Sequence, residues 1–110
     1  MKHRRDRLSS AIREAAGKYL SDRKYGSSMV TVTSVAISED LSKATVCVTV
    51  FPESQNEAVI KKLHRGRGVF ANYVKKNTRI GSIPFLSFEI DRGEMFRQRI
   101  DELSSEVENS

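Results

Sequence analysis

The sequence predicts an α+β fold whose elements follow the order α-β-β-α-α-β. Three stretches carry apolar residues at the spacing of an amphipathic helix, and three others alternate between apolar and polar residues as strands do. The chain has 110 residues, of which 38% are apolar and 30% are charged. That length and composition suit one domain with a modest core and a densely charged surface.

The first predicted helix covers residues 4–21. Its apolar residues fall at helical spacing and would share one buried face: Leu8, Ile12, Ala15, Ala16 and Tyr19. Three basic residues lie beside that face, within about 60° of one another on a helical wheel: Arg4, Arg7 and Lys18. Such a row can contact phosphates or form a solvated helix edge, and the sequence favours neither interpretation.

Three strands are predicted, at residues 29–38, 43–51 and 83–90. In the first strand the aliphatic residues change phase near Thr33 and Ser34, which predicts a β-bulge there. The second strand alternates without interruption, and residues 39–42 are few enough to close a hairpin with the first.

Two short helices are predicted between the second and third strands. Ser54 and Glu57 have the spacing of a capping box, which predicts that the first of them begins there. Its apolar residues are Val59, Ile60 and Leu63. The second helix would end near Asn77, and it is marked by Val69, Phe70, Tyr73 and Val74.

The segment that joins these helices is the strongest functional signal. Residues 61–88 contain seven lysines and arginines and no acidic residue, and two glycines bracket Arg67. A helix start offers unpaired amides and a positive dipole end to phosphate, and glycine lets a backbone come close. The predicted RNA-binding residues are Lys61, Lys62, Arg65, Gly66, Arg67, Gly68, Lys75, Lys76 and Arg79, with Arg4, Arg7 and Lys18 as a second patch. Glycines between helices are also ordinary turn formers.

Enzyme, metal, cofactor and membrane functions find little support. His3 and His64 have no acid or nucleophile at a suggestive spacing, and His64 suits phosphate contact or solvation. The single cysteine, Cys47, excludes an internal disulfide framework and a cysteine-rich zinc site, and we expect it to be buried. No apolar stretch approaches the roughly 20 residues of a membrane span. The basic start lacks the apolar core of a signal peptide, so we expect a cytoplasmic protein.

Two regions are expected, a folded domain at residues 1–91 and an acidic helix or tail at 92–110. From Glu89 onward the chain carries seven acidic and three basic side chains. A narrow apolar stripe follows helical spacing: Phe96, Ile100, Leu103 and Val107. That stripe could pair with a helix of another protein, which would make the chain an interaction module, or pack against the domain's own sheet.

The element order resembles the type II KH arrangement, a three-stranded mixed sheet with helices whose usual junction is Gly-x-x-Gly. Here the junction is one residue shorter. Two segments are similar in sequence to the ribosome-binding factor A family: VAISEDLSKA at residues 35–44 and RIGSIPFLSF at 79–88. The opening helix and Asp91 fit the same family, so the resemblance covers roughly residues 4–100.

The resemblance implies a non-enzymatic factor, monomeric when free, that binds the immature small (30S) ribosomal subunit. It would contact the 16S rRNA near the decoding region, promote 5′-end processing late in maturation and leave before translation. The family commonly has Ala-x-Gly at the helix kink. Gly68 matches that pattern, whereas Gly66 replaces the alanine, which leaves the kink geometry open. A KH-like domain acting on another RNA or on single-stranded DNA is the alternative.

Overall fold

The structure, a computed structural model, describes residues 2–93, with side chains from residue 4 onward. Its elements are α1 (Lys2–Ser21), β1 (Met29–Ile37), β2 (Lys43–Phe51), a 3-10 turn (Glu53–Gln55), α2 (Asn56–Arg65), α3 (Arg67–Asn77) and β3 (Phe85–Ile90). This order confirms the predicted α-β-β-α-α-β arrangement. The helix or tail predicted at residues 92–110 lies almost wholly outside the described residues.

The three strands form one mixed sheet in the order β1-β2-β3. β1 and β2 pair antiparallel, and β2 and β3 pair parallel. The register of β1 shifts between Val32 and Ser34, which confirms the predicted bulge. The extra residue at Thr33 allows the aliphatic residues before and after it to turn toward the same face.

The core lies between one face of the sheet and the three helices, and Phe70 of α3 stands at its centre. The Phe70 ring is 4.9 Å from the Tyr19 ring of α1 and 5.0 Å from the Phe88 ring of β3, centroid to centroid. Phe70 is fully buried, as are Ile12 of α1 and Val46 of β2. These contacts fix α3 against both α1 and the sheet.

The predicted capping box at Ser54 is wrong. The chain first makes a 3-10 turn, in which the amide of Gln55 donates to the Pro52 carbonyl at 3.0 Å. Ser54 lies inside that turn, so α2 begins at Asn56 with Gln55 in the N-cap position and no side-chain capping bond from it. The turn that follows Pro52 therefore moves the helix start past the serine.

Cys47 is half-buried rather than buried, which corrects the expectation for that residue. Its neighbours Val46 and Val48 are fully buried. Because successive side chains of a strand point to opposite faces, Cys47 lies on the face away from the core.

A polar brace joins the β1 bulge to the residue that follows β3. The Thr33 hydroxyl lies 2.5 Å from a carboxylate oxygen of Asp91 and 3.2 Å from the carbonyl oxygen of Cys47. The Asp91 amide donates to the Val48 carbonyl at 2.7 Å. Asp91 therefore holds the end of β3 against both other strands.

Candidate nucleic-acid interface

The junction between α2 and α3 consists of a single residue, Gly66. Its amide donates to the Lys62 carbonyl at 3.1 Å, and its carbonyl accepts from the Phe70 amide at 2.9 Å. The hydrogen bond from the Phe70 amide is the first one within α3. The amides of Arg67, Gly68 and Val69 therefore come before the hydrogen-bonded part of the helix. They lie at a helix start, where backbone donors and the positive end of the helix dipole favour an anion.

Gly66 does not require an unusual kink. Its φ of −90° and ψ of 11° are open to any residue. A Cβ added there would lie 3.4 Å from the Tyr19 hydroxyl and 3.5 Å from the Lys62 carbonyl, which are ordinary contacts. The alanine that the related family carries would therefore fit the same geometry.

Gly68 has no role in the packing of the fold. It is exposed, and a Cβ added there would meet nothing within 4 Å. Glycine inside a helix costs roughly 0.5–1 kcal/mol relative to alanine. The neighbouring Val69, predicted from its helical spacing as an apolar marker of α3, is also 55% exposed. Together they leave the first turn of α3 open to close approach from outside.

Arg67 lies beside these amides and is held by an aromatic ring that the sequence did not single out. Its guanidinium carbon is 5.2 Å from the centre of the Phe85 ring, and Phe85 is 59% exposed. A cation over a ring face is attracted by about 0.5–1 kcal/mol at exposed sites. No sequence signal connects the two residues, because β3 reaches α3 only in the folded chain.

The other predicted cations around the kink are exposed on α2, on α3 and just after it. None has a carboxylate oxygen within 4.0 Å among the described residues, so their charges are not neutralised by the fold. They are Lys61, Lys62, Arg65, Lys75, Lys76 and Arg79.

His64 is exposed, in line with the expected solvation, and its ring also has a partner within the fold. Its Nε2 lies 2.8 Å from the carbonyl oxygen of Phe88, to which it donates. The bond ties the last turn of α2 to β3, an edge strand of the sheet. It therefore helps to set the position of the kink that follows two residues later.

The structure divides the predicted second patch. Arg4 and Arg7 of α1 line a cavity of about 640 Å³ together with Arg79, which the sequence had grouped with the kink. Lys18 lies on an adjoining cavity of about 280 Å³ and pairs with Glu14 at 3.5 Å. Both partners of that pair are exposed, so Lys18 belongs to a solvated ion pair along the helix.

The described part of the chain lacks two other classes of site. No group of three or more histidine, cysteine, aspartate or glutamate side chains stands close enough to hold a metal ion within it. Within the same residues, no helix has the length and apolar character needed to cross a membrane.

Comparisons of the sequence with a family model and with a related protein indicate the same family. The family model described as "Ribosome-binding factor A" matches residues 4–104. A ribosome-binding factor A of Magnetococcus marinus is 34% identical over 110 residues, covering 96% of this chain and 89% of its own.

A crystal structure and a homology model fitted into a cryo-EM map share the fold. The crystal structure of ribosome-binding factor A from Thermus thermophilus superimposes with a TM-score of 0.71 at 23% identity, over 79% of this chain and 94% of its own. A Thermus thermophilus homology model fitted into the cryo-EM map of a 30S–RbfA complex has a TM-score of 0.69 at 23% identity, over 78% and 93%. The family model spans most of the chain and the Magnetococcus relative nearly all of it, so this chain belongs to the ribosome-binding factor A family.

Proposed function

We propose that this protein binds the immature small ribosomal subunit through its 16S rRNA and promotes late maturation, including 5′-end processing. The observation that carries the proposal is the exposed first turn of α3, where Gly68 leaves the backbone open and Arg67 stands beside it. Family membership and the relative fitted into a 30S complex support the choice of partner.

In this proposal one RNA phosphate lies at the start of α3. The amides of Arg67, Gly68 and Val69 would donate to its oxygens, and the guanidinium of Arg67 would add a charge-assisted bond. The surrounding lysines and arginines would neutralise further phosphates and release their counterions. Recognition of this kind reads the shape and the backbone of the RNA rather than a long base sequence.

Binding alone can promote maturation. A factor that binds one conformation of the rRNA more tightly than another shifts the population toward that conformation. Processing enzymes would then meet their substrate in the conformation that they cleave. We propose accordingly that the protein acts without catalysis or a cofactor, in the cytoplasm and as a monomer when free.

The test uses co-sedimentation of the full chain with purified small subunits. Arg67→Glu places a carboxylate where the proposal puts a phosphate, so binding should fall by about tenfold or more. Arg13→Glu reverses an exposed charge on α1 away from the kink and should reduce binding much less. Equal loss in both variants would show that only net charge matters, and unchanged binding of a folded Arg67→Glu protein would remove the kink from the interface.

A sucrose gradient of cell lysate tests the choice of partner. The protein should travel with free small subunits and be absent from translating ribosomes. Competition at rising salt separates this proposal from a KH-like domain for other RNA or single-stranded DNA, because non-specific phosphate binding weakens steeply with salt. If generic RNA displaces the protein from subunits at every salt concentration, the specific partner is wrong.

A further inference from the structure

A second cationic site lies at the opposite end of α1 from the kink. An open cavity of about 640 Å³ is bounded by the first half of α1, the turn between β1 and β2, and the segment after α3. Arg4 and Arg7 line it from α1, and Arg79 lines it from the segment after α3. Arg79 is more than 70 positions from Arg4 and Arg7 in the sequence, and only the fold brings it beside them.

The three guanidinium groups are not neutralised by the protein. None has a carboxylate oxygen within 4.0 Å among the described residues. Asp40 also lines the cavity, but its Oδ1 is held within the turn by the hydroxyls of Ser38 and Ser42 at 2.8 and 2.6 Å. Like charges that converge on one cavity repel one another and attract an anion.

One wall of the cavity is apolar, and packing against the core does not account for all of its side chains. Leu8, Ile80 and Leu41 all line the cavity. Leu8 and Ile80 also pack against the core, whereas Leu41 is not among the side chains that do so. Leu41 has a φ of 62°, a left-handed conformation that is unfavourable for a residue other than glycine. Backbone strain of this kind is found preferentially at functional sites.

We infer that this cavity binds one unpaired nucleotide of RNA, with its phosphate on Arg4, Arg7 and Arg79 and its base against Leu41 and Ile80. The inference rests on the proposed RNA-binding function but concerns a site separate from the kink. Sequence-specific RNA recognition commonly targets unpaired bases that are splayed out of the stack and packed on aromatic rings or arginine planes. In this cavity the apolar faces are instead the aliphatic side chains of Leu41 and Ile80. The cavity volume also falls within the roughly 300–1,000 Å³ of small-ligand sites.

An acidic peptide fits the cavity less well than a nucleotide. Peptide carboxylates would match the arginines but would leave the apolar wall unused. A nucleotide uses both, because its base is flat and apolar on its faces and carries N–H donors that a carboxylate can accept. The combination of three cations, one acceptor and an apolar wall therefore favours RNA.

The two RNA sites lie far apart on the molecule. Tyr19, near the end of α1, contacts Phe70 close to the kink, whereas Arg7 lies about 12 residues earlier, or roughly 18 Å along the helix. A single nucleotide cannot span both sites, so the amides that it shifts show which of the two sites it fills.

The binding test is an NMR titration of the full ¹⁵N-labelled chain with 5′-AMP, inorganic phosphate and adenosine separately. AMP should shift the amides of Ala11, Gly81 and Ser82, which line the cavity. Its affinity should exceed that of phosphate or adenosine by about tenfold, because each fragment makes only part of the contacts that the nucleotide makes. Equal binding of phosphate, shifts confined to the kink, or equal binding of an oligoglutamate peptide would each overturn the inference.

Two variants and a matched control test the assigned residues. Arg7→Gln/Arg79→Gln removes two of the cations, and Leu41→Gly removes the apolar wall while accepting the left-handed φ without strain. Each should lower AMP affinity by about tenfold. Arg13→Gln, an exposed arginine on the same helix outside the cavity, should leave it unchanged.

The outcomes separate this inference from the proposed function. If both variants keep wild-type AMP affinity, the cavity assignment is wrong, even where Arg67→Glu still abolishes subunit binding. If AMP binds the cavity as described and the protein ignores small subunits, the nucleotide site stands and the proposed partner fails. Preserved dispersion of the amide spectrum shows that each variant is folded.

Discussion

Gly66 and Gly68 lie two residues apart, but a side chain would meet different surroundings at the two positions. A methyl group at position 66 would contact the Tyr19 hydroxyl at 3.4 Å, whereas one at position 68 would project into open space. Neither backbone has the positive φ that restricts a site to glycine. A side chain at position 68 would therefore face only what approaches from outside.

Replacing each glycine with alanine should separate stability from binding. Gly68→Ala should raise the free energy of unfolding by about 0.4–1 kcal/mol, because the unfolded chain loses freedom, yet weaken association with small subunits. Gly66→Ala should keep wild-type binding, because its methyl group points toward Tyr19. Urea denaturation and co-sedimentation measure the two effects. Wild-type binding by Gly68→Ala would argue against a phosphate at the start of α3.

The carboxylate of Asp40 organises the turn between β1 and β2. Hydrogen bonds from the side chains of Ser42 and Ser38 and from the Ser42 amide lower the pKa of Asp40 to about 2. Because these bonds favour the charged form, the stabilisation is complete above the ordinary pKa of 3.8 and is lost as the pH falls toward 2.

We predict that Ser42→Ala returns the pKa of Asp40 toward 3.8, since Ser42 supplies the largest of the contributions that lower it. The measurement is an NMR titration of the Asp40 carboxyl carbon. Ser27→Ala, an exposed serine outside this turn, is the control. An unchanged titration in Ser42→Ala would show that another group holds the carboxylate.

At the level of elements, the bulge in β1 links three strands. The phase change that predicts the bulge is local in the sequence. Asp91, which accepts a hydrogen bond from Thr33 of the bulge, lies 58 residues away. The hydroxyl of Thr33 reaches both Asp91 and the Cys47 carbonyl, so a single side chain connects β1, β2 and the end of β3.

Thr33→Val keeps the β-branched shape and removes this hydroxyl. We expect it to lower the free energy of unfolding by about 1.5–3 kcal/mol, the range for a hydrogen bond to a charged group. Thr31→Val, in the same strand with its side chain exposed, should change it by less than about 0.5 kcal/mol. Chemical denaturation measures both, and equal effects would mean that the brace contributes nothing specific.

At the level of the whole molecule, charge is unevenly distributed along the chain. Residues 94–110 carry five acidic and two basic side chains, so their removal raises the formal net charge from +5 to +8. We predict that the shortened chain binds generic RNA more tightly at low salt, with a difference that disappears as salt rises. Electrophoretic mobility shifts at several salt concentrations check this, and a difference that persists at high salt would indicate a specific contact by the removed segment.

Much of the fold could be predicted because its signals are local. Helical spacing identified α1, strict alternation identified β2, and the phase change located the bulge. The start of α2 was misplaced because the turn after Pro52 competes with the capping pattern at Ser54. The cluster of basic residues and glycines identified the candidate interface, since both features are contiguous in the chain.

The rest of the candidate site depends on contacts between distant segments. The sequence alone determined the order of the elements, the buried phase of each strand and the positive charge around the helix junction, because periodicity and composition act over a few residues. Tertiary packing decided that Arg67 lies over Phe85, that His64 donates to Phe88 and that Arg79 joins Arg4 and Arg7. Those pairings depend on where β3 and the segment after α3 pack, and no local pattern encodes that position.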